Sequence, residues 1–279
     1  MTSEPLLEVR DVEFRYPGKT ENTLHNVSFT VTPGEFIALV GPNGAGKTTL
    51  ARLLIGIHRP SGGCILMEGQ DISGLTVAEI SHRIGFLFQN PDHQLFEDTV
   101  WEEVVFALKN MGLPQEEIEA RANEVLEFCG LQHLRTRAPE GLSVGEKKRA
   151  AVASVLAMKT DVLVLDEPTT GQTWSHLEPL MTIIKRLNAA GKTIFMITHD
   201  MNLVVDYASR VMVLVGGRFC HDGDVSSLFA NDELIQSSHI ELPAVLRLSR
   251  ALEKSHGFRP CLTASDLVTQ VLGRLQCRT

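Results

Sequence analysis

The stretch that decides the fold reads Gly41-Pro42-Asn43-Gly44-Ala45-Gly46-Lys47-Thr48. An apolar run at 35–40 precedes it, and a helix-like stretch at 47–57 follows it. The glycines permit backbone conformations that other residues rarely adopt, so that N–H groups can turn inward around one hollow. The pattern predicts a buried strand, a tight anion-binding loop and a helix, in that order.

The loop has the form GxxxxGK[ST], which cradles nucleotide phosphates with backbone N–H groups. The helix that follows adds partial positive charge from its N-terminus. We expect Lys47 to reach the β- and γ-phosphates and the Thr48 hydroxyl to bind Mg²⁺, with the adjacent Thr49 in the same nucleotide site. The loop therefore predicts a nucleotide as ligand and magnesium as the metal.

Two further apolar strands end in side chains that suit the same chemistry. The run at 162–165 leads into Asp166 and Glu167, and the run at 193–197 is followed by His199. In an open α/β sheet, ligands lie at the carboxyl ends of the strands. We expect Asp166 to hold the magnesium shell and Glu167 to polarise the water that attacks the γ-phosphate, with His199 at the same rim.

The alternation of strand-like and helix-like segments predicts an α/β fold around a mostly parallel sheet. Alternating apolar residues at 7–16 indicate a strand with a break near Asp11. Helix formers dominate between 100 and 158, which indicates a helical insertion. After about residue 225 the pattern is helical again and predicts a small appended domain.

Composition argues against several other classes of protein. Of 279 residues, 43% are hydrophobic, and the formal net charge is −8. This acidic balance disfavours a nucleic-acid binder, which needs a basic face. The five cysteines form no CxxC pair and predict no further metal site. No signal peptide and no apolar run near the roughly 18 residues of a membrane span is evident, so a membrane role is expected to come through partners.

A third set of residues carries a resemblance to a known family. Leu142-Ser143-Val144-Gly145-Glu146 looks like the signature motif of ABC (ATP-binding cassette) proteins, whose usual form is LSGGQ. Gln89 resembles the family's Q-loop glutamine, and Tyr16 resembles the aromatic residue on which the family stacks adenine. The order of aromatic residue, phosphate loop, glutamine, signature, acidic strand end and histidine is complete and covers residues 6 to about 222.

The resemblance implies the α/β fold of the P-loop NTPases in its ABC form. This form has a mostly parallel sheet core, an antiparallel β subdomain at the N-terminus and an inserted helical subdomain. We assign the ABC ATPase domain to residues 1–225, with the helical insertion at about 92–160, and a small C-terminal helical domain to residues 226–279.

The resemblance also implies a Mg-dependent ATPase that works as a head-to-tail dimer, as a homodimer or beside a second, similar ATPase. Two ATP molecules then lie between the phosphate loop of one subunit and the signature of the other. Ser143 and Gly145 are expected to touch the γ-phosphate held by the opposite subunit. Gln89 is expected to act at the magnesium ion and in catalysis, together with Glu167 and His199.

Three residues depart from the family pattern. Val144 replaces the first signature glycine, while Gly145 retains the possibility of close approach to phosphate. Glu146 replaces the usual glutamine, and we expect its carboxylate to point away from the ligand. Thr173 stands where the family usually places an aspartate that works across the dimer interface, which puts coupling between the two sites in doubt.

Two segments resemble a narrower group, the ATPases of energy-coupling factor (ECF) transporters, which take up vitamins and transition-metal ions. They are residues 89–103, after the Q-loop glutamine, and the leucine-rich tail from Leu242 to Leu272. The likeness implies two membrane partners, a transmembrane T component and a substrate-binding component. It also implies a peripheral place on the cytoplasmic face of the membrane, and no nucleic-acid partner.

In that group the segment after the Q-loop receives the coupling helices of the T component. We expect it to offer an acidic, hydrogen-bonding face with apolar anchors. The residues expected on the face are Asp92, Gln94, Glu102 and Glu103, and the anchors are Phe96 and Trp101.

Other functions compete with the ECF assignment. A conventional ABC importer or exporter ATPase would carry the same site motifs. A non-transport ABC ATPase acting on DNA or ribosomes usually has two cassettes or a long coiled coil, and this chain has one cassette and no heptads. A regulatory subunit with a dead site is disfavoured by Glu167 and His199, although Thr173 keeps it open.

Overall fold

Two β-sheets organise the part of the chain that the structure, a computed structural model, describes: residues 4–170 and 174–276. The larger sheet has six strands in the order β10-β9-β3-β8-β7-β6. They are β3 (Phe36–Val40), β6 (Ile84–Leu87), β7 (Val162–Asp166), β8 (Thr193–Ile197), β9 (Arg210–Val215) and β10 (Arg218–Gly223). All neighbours pair in parallel except the edge strand β10, which runs antiparallel to β9. The predicted mostly parallel sheet is confirmed.

The smaller sheet is antiparallel and lies towards the N-terminus. Its order is β2-β1-β4-β5. The strands are β1 (Leu7–Phe14), β2 (Leu24–Val31), β4 (Gly62–Met67) and β5 (Gln70–Asp71). The break predicted near Asp11 is a bulge, where the register of β1 shifts against β2 and Asp11 takes a φ of +48°. A bulge of this kind lets the strand bend while it keeps its pairing on both sides.

A helical insertion separates β6 from β7. It contains α3 (Val100–Asn110), α4 (Gln115–Phe128) and α5 (Val144–Ala157), together with 3₁₀ turns at Pro91–His93, Gln132–Leu134 and Pro139–Gly141. Four more helices connect or flank the strands: α1 (Lys47–Leu54), α2 (Val77–Ser81), α6 (Trp174–Ala189) and α7 (Met201–Tyr207). The helical insertion predicted from residue composition is therefore present.

The parallel sheet separates two cores, because side chains of a strand point alternately to its two faces. On β7, Leu163 and Leu165 belong to a core shared with the helical insertion. The intervening Val164 belongs to a core shared with the antiparallel sheet and α1. Each face is thus covered, which explains why β3, β7 and β8 are apolar and buried along their whole length.

The tail from residue 225 forms α8 (Val225–Ala230), α9 (Asp232–Ser237), α10 (Ala244–His256) and α11 (Ala264–Gln276). Its buried residues Leu228, Phe229 and Leu246 form a third core with residues of β3, α7 and β9. The tail therefore packs against the sheet. The division of the chain at residue 225 stays a prediction.

Within the described ranges, no helix combines the length and the apolar character that a bilayer crossing requires.

Replacing the buried Leu246 with alanine is expected to lower the free energy of unfolding by about 2–4 kcal/mol, because the site loses packing and gains a cavity. Leu248→Ala on the same helix is the matched control, because Leu248 is 51% exposed and should lose under about 1 kcal/mol. Urea unfolding followed by circular dichroism measures both. A tail that folds independently of the sheet would instead give a separate transition, with the main transition unchanged in Leu246→Ala.

Candidate active site

The phosphate loop is clamped between the two sheets by two glycines. A Cβ on Gly41 would lie 2.0 Å from the carbonyl oxygen of Leu214 on β9, and Gly41 has a φ of +145°. Gly46 precedes α1 with a φ of +106°, and a Cβ there would lie 2.7 Å from Leu24 Cδ2 on β2. A larger residue at Gly41 would strike the backbone of β9 and displace the loop. At Gly46 the Leu24 side chain could move aside, and it is the positive φ that disfavours a larger residue. The loop conformation is therefore fixed by contacts from both sheets.

Lys47 begins α1 with its side chain buried against the loop. Its Nζ donates to the carbonyl oxygens of Gly41 at 2.7 Å and Pro42 at 3.1 Å. Burial lowers the pKa of Lys47, and the carboxylates of Glu167 and Asp166 oppose that shift. A positive charge held in this way beside the loop suits an incoming phosphate.

Asp166 lies behind the loop at the end of β7. The Thr48 hydroxyl donates to its Oδ1 at 3.4 Å, and the carboxylate is buried. Burial raises the pKa of Asp166, while the Thr48 hydrogen bond lowers it. The predicted magnesium residues Thr48 and Asp166 are thus adjacent.

Glu167 and His199 meet at the ends of β7 and β8. Oε2 of Glu167 lies 2.7 Å from Nδ1 of His199, so an ionised carboxylate requires Nδ1 to carry the proton. The backbone N–H of Glu167 donates to the Ile197 carbonyl at 3.0 Å. Glu167 has a φ of +50°, a left-handed conformation that is rare for a non-glycine residue and recurs at functional sites.

Gln89 follows β6 and reaches the same rim. Its Nε2 donates to the hydroxyl of Thr170 at 3.4 Å. Thr170, three residues after Glu167, also borders the cleft. Gln89 thus contacts the segment that follows Glu167, and its catalytic and magnesium roles stay predictions.

Tyr16 lies at the edge of the site beside α1. Its hydroxyl is 3.0 Å from the Thr49 hydroxyl, and its ring meets Phe14 and His58 edge-on. These contacts fix the ring, and adenine stacking on it stays a prediction.

These residues line one open cleft of about 850 Å³. Its lining includes Tyr16, Gly41, Pro42, Asn43, Gly44, Ala45, Gly46, Lys47, Thr48, Thr49, Gln89, Glu167 and His199. Seven lining residues carry no sequence signal that we used: Thr23, Thr170, Ile197, Met201, His239, Ile240 and Glu241. Asp166 is not part of the lining and meets the cleft through Thr48.

The signature residues lie outside this cleft, at the start of α5. Ser143 caps the helix, and its N–H and hydroxyl donate to Oε2 of Glu146 at 2.8 and 2.7 Å. The Glu146 carboxylate is thus turned back onto Ser143, which differs from our expectation because the capping box offers it two donors. Gly145 is buried, whereas Ser143 and Val144 are exposed. Thr173 lies outside the described residues.

The segment after Gln89 differs from the sequence prediction at several positions. Glu103 is buried rather than exposed, because its carboxylate accepts the N–H groups of Phe96 and Glu97. Gln94 is half-buried and donates to the Ala151 carbonyl at 3.0 Å. Trp101 lies under the guanidinium of Arg135, 3.6 Å from its ring centre, and packs against the helical core.

The exposed apolar group of the segment is an aromatic pair. Phe96 is 63% exposed and meets the ring of Phe106 edge-on, with 4.8 Å between ring centres. Asp92 is exposed but paired, since its Oδ1 accepts from Lys147 Nζ at 2.7 Å. We therefore correct the exposed set to Phe96, Phe106 and Asp92. Glu102 is half-buried and pairs with Lys109.

Lys148 is a site residue that the sequence analysis left without a role. It is 1% exposed, and its Nζ donates to the carbonyl oxygens of Pro168 and Thr170. Burial lowers its pKa to about 8, and the Glu167 carboxylate opposes the shift. Lys148 thus holds the backbone that follows Glu167 to the helix that carries the signature.

Residues 24–170 match the family model described as the ABC transporter. The chain belongs to this ABC transporter family. A relative from Methanosarcina acetivorans, named as a candidate ABC transporter ATP-binding protein, is 43% identical over 94% of this chain. The chain spans only 43% of the length of that relative. The first curated relatives are all more than twice as long as the part that matches.

Two other ABC proteins match over nearly their whole length. The energy-coupling factor transporter ATP-binding protein EcfA of Methanocaldococcus jannaschii is 40% identical over 89% of this chain and 90% of its own. The structure of CbiO1 from Clostridium perfringens, described as part of the ABC transporter complex CbiONQ, is 35% identical with a TM-score of 0.77. It covers 90% of this chain and 100% of its own.

The site residues also fit the implied magnesium ion. Mg²⁺ prefers oxygen ligands and is usually held by one or two protein groups, waters and substrate phosphates. The Thr48 hydroxyl and the Asp166 carboxylate, 3.4 Å apart, supply such oxygens beside the phosphate loop. No group of three or more His, Cys, Asp or Glu side chains able to hold a metal occurs in the described parts of the chain. The remaining ligands of such an ion would be water molecules and phosphate oxygens of the nucleotide.

The lowered pKa of Lys148 predicts a pH-dependent stability. Between about pH 8 and the usual lysine pKa of about 10.4, the unfolded chain binds a proton that the folded chain has released. Raising the pH through this window therefore favours the folded state. Between pH 7.5 and pH 10, the free energy of unfolding of the wild type should therefore rise by about 1–3 kcal/mol more than that of Lys148→Met.

Urea unfolding of both proteins at the two pH values measures this gain. The control is Lys159→Met, since Lys159 is exposed and should show no such pH-dependent difference. Parallel curves for wild type and Lys148→Met would place the pKa of Lys148 near its ordinary value and contradict the prediction.

Proposed function

We propose that this chain binds Mg-ATP in the cleft and hydrolyses it to ADP and phosphate. The observation that carries the proposal is the Glu167–His199 contact of 2.7 Å on the rim of the cleft lined by the phosphate loop. A carboxylate and an imidazole so placed can activate water beside a bound γ-phosphate. Membership in the ABC transporter family supports the same activity.

In the proposed reaction, Glu167 acts as the general base. The water oxygen forms a bond to the γ-phosphorus while the bond from that phosphorus to the bridging oxygen of ADP breaks, and the water proton passes to the Glu167 carboxylate. His199 holds Glu167 through its Nδ1–H. Lys47 and the loop N–H groups bind the phosphate oxygens, whose charge shifts during transfer.

Magnesium supplies charge neutralisation at the β- and γ-phosphates. Thr48 and Asp166 are the residues that would hold it, with Gln89 at the same rim. Burial keeps Asp166 away from bulk water, and its hydrogen bond to the Thr48 hydroxyl fixes one carboxylate oxygen.

Glu167→Gln should bind ATP about as well as the wild type and lose at least about a hundredfold in hydrolysis, because an amide cannot accept the water's proton. Lys47→Ala should lose affinity for ATP itself, because it lacks the ammonium group that binds the phosphate oxygens. Phosphate release and equilibrium titration with ATP separate the two defects. Glu119→Gln, an exposed carboxylate on α4, serves as the control. Wild-type turnover by Glu167→Gln would assign the base role to another group, with His199 the next candidate.

The active unit is proposed to be a head-to-tail dimer. Ser143 and Gly145 do not line the cleft of their own chain, although the resemblance assigns them to the γ-phosphate. A second subunit resolves this by placing its signature over the cleft. That subunit is a second copy or a similar ATPase.

We assign the dimer to an ECF-type uptake transporter for a vitamin or a transition-metal ion. The EcfA relative supports this, since it matches over nearly the whole length of both chains. The partners are then a transmembrane T component and a substrate-binding membrane component, which would place the chain on the cytoplasmic face of the membrane. A transporter ATPase outside the ECF group is the second candidate, because the first longer relatives carry only a general ABC name.

The surface proposed to grip the T component is the exposed set after Gln89. Phe96 and Phe106 supply an apolar contact, and the exposed carboxylate of Asp92, which is paired with Lys147, supplies a hydrogen-bond acceptor in the same segment. The Lys147 partner of Asp92 lies two residues after Gly145, so this surface is joined by an ion pair to the signature helix. A basic, partly apolar helix from a membrane partner would fit such a surface.

A charge-swap experiment separates the two contacts of Asp92. Asp92→Lys breaks the pair with Lys147 and repels a basic partner helix, whereas Asp92→Lys with Lys147→Asp restores an internal pair of reversed sign. We expect both variants to lose at least about tenfold of the membrane protein that co-purifies in detergent, because each presents lysine to the partner. The double variant alone should regain wild-type stability and ATPase rate.

Retention of membrane proteins, identified by mass spectrometry, is the measurement, and thermal melting of the free subunit is its control. If the double variant retained as much membrane protein as the wild type, Asp92 would serve only its ion pair with Lys147 and would not contact the partner.

A further inference from the structure

The tail contributes a wall to the nucleotide cleft. His239, Ile240 and Glu241, between α9 and α10, line the cleft together with the phosphate loop. Glu241 also borders a second recess, which it shares with Thr170, His199 and Met201. The tail segment therefore lies on the His199 side of the cleft, where the γ-phosphate is proposed to lie.

His239 occupies an unusual backbone position. After the end of α9, its N–H donates to the Gln236 carbonyl and the N–H of Ile240 donates to the Ile235 carbonyl, a pair of bonds that closes a helix. These two bonds require a left-handed backbone at residue 239, where glycine is the usual residue. His239 takes this conformation with a φ of +52°. A non-glycine residue at such a position is strained, and strained residues recur at functional sites.

The same segment is fixed to the helix that follows His199. Met201 and Val204 of α7 belong to one core with Leu228, Phe229, Ile235 and Leu246 of the tail. Ile240 and Leu242 pack against that core from the cleft side. The segments that carry His239 and His199 therefore pack on the same apolar core, and this packing sets the distance between the two residues.

The side chains of His239 and Glu241 should have opposite effects on a bound phosphate. The exposed imidazole of His239 can donate an N–H to a phosphate oxygen. The exposed carboxylate of Glu241 accepts only, and it repels a phosphate oxygen. Both effects should be strongest for the phosphate nearest His199.

We propose that the tail is part of the nucleotide site: His239 binds the terminal phosphate of a nucleoside triphosphate, and Glu241 opposes it. This inference rests on the proposed binding of ATP to the phosphate loop. It makes the tail a sensor of the difference between triphosphate and diphosphate, because the contact is lost with the γ-phosphate.

Three substitutions in the full chain test the proposal, each titrated with ATP and with ADP by calorimetry in the Glu167→Gln background. His239→Gly removes the imidazole and suits the left-handed backbone, so it should weaken ATP binding about three- to tenfold without lowering the melting temperature. His239→Asn, which tolerates the same backbone and keeps an N–H donor, should retain part of the affinity. Glu241→Gln should tighten ATP binding about two- to fivefold at low salt, and less at high salt.

For all three variants the change in affinity should be smaller for ADP. Matched controls are His82→Ala on the exposed end of α2 and Glu233→Gln on α9, neither of which lines the cleft. Their affinities should equal that of the Glu167→Gln parent.

The outcomes are distinguishable. If His239→Gly and Glu241→Gln leave ATP affinity unchanged, or weaken ATP and ADP equally, the tail does not contact the terminal phosphate and the inference is wrong. If the parent fails to bind ATP while it folds normally, the proposed function itself fails. Opposite shifts for the two variants, confined to ATP, would establish the contact, since loss of local structure would shift both in one direction.

Discussion

The structure depends on the close contact between the phosphate loop and β9. At Gly41 the backbone passes so near to the Leu214 carbonyl that no side chain fits, and Gly46 packs against the Leu24 side chain of β2. The loop is therefore shaped by both sheets at once. Because β6, β7 and β8 run parallel to β3, their carboxyl ends deliver Gln89, Glu167 and His199 to the same edge.

The buried charged groups near this edge, Lys47, Lys148 and Asp166, all have hydrogen-bond partners. Lys47 and Lys148 each bond to two backbone carbonyls, and the buried Asp166 accepts from a hydroxyl. Such pairing is required, because an unpaired buried charge destabilises a fold by several kcal/mol. It also means that a bound phosphate must compete for Lys47 with the loop's own carbonyls.

The sequence was most informative where a motif is local. The phosphate loop, the acidic strand end and the histidine after β8 sit in contiguous segments, so their shared edge followed from the parallel topology alone. Residues whose exposure depends on distant packing were mispredicted. Glu103 is buried because its carboxylate accepts the N–H groups of Phe96 and Glu97, in the segment before α3. Trp101 is covered by the guanidinium of Arg135, which follows the 3₁₀ turn at Gln132–Leu134. His239 and Glu241 have no motif, and only the packing of the tail on α7 brings them to the cleft.

The capping box at the start of α5 sets the charge that any ligand of the signature helix would meet. The hydroxyl proton of Ser143 is already given to an ionised acceptor, Glu146, whose pKa is lowered chiefly by that bond. A phosphate oxygen arriving at this serine would replace one anionic acceptor with another, and the displaced carboxylate would remain beside it. The exchange would gain little free energy, and the helix would lose part of its cap. A glutamine at this position would add no such competing charge, so the carboxylate would weaken any contact between Ser143 and a phosphate.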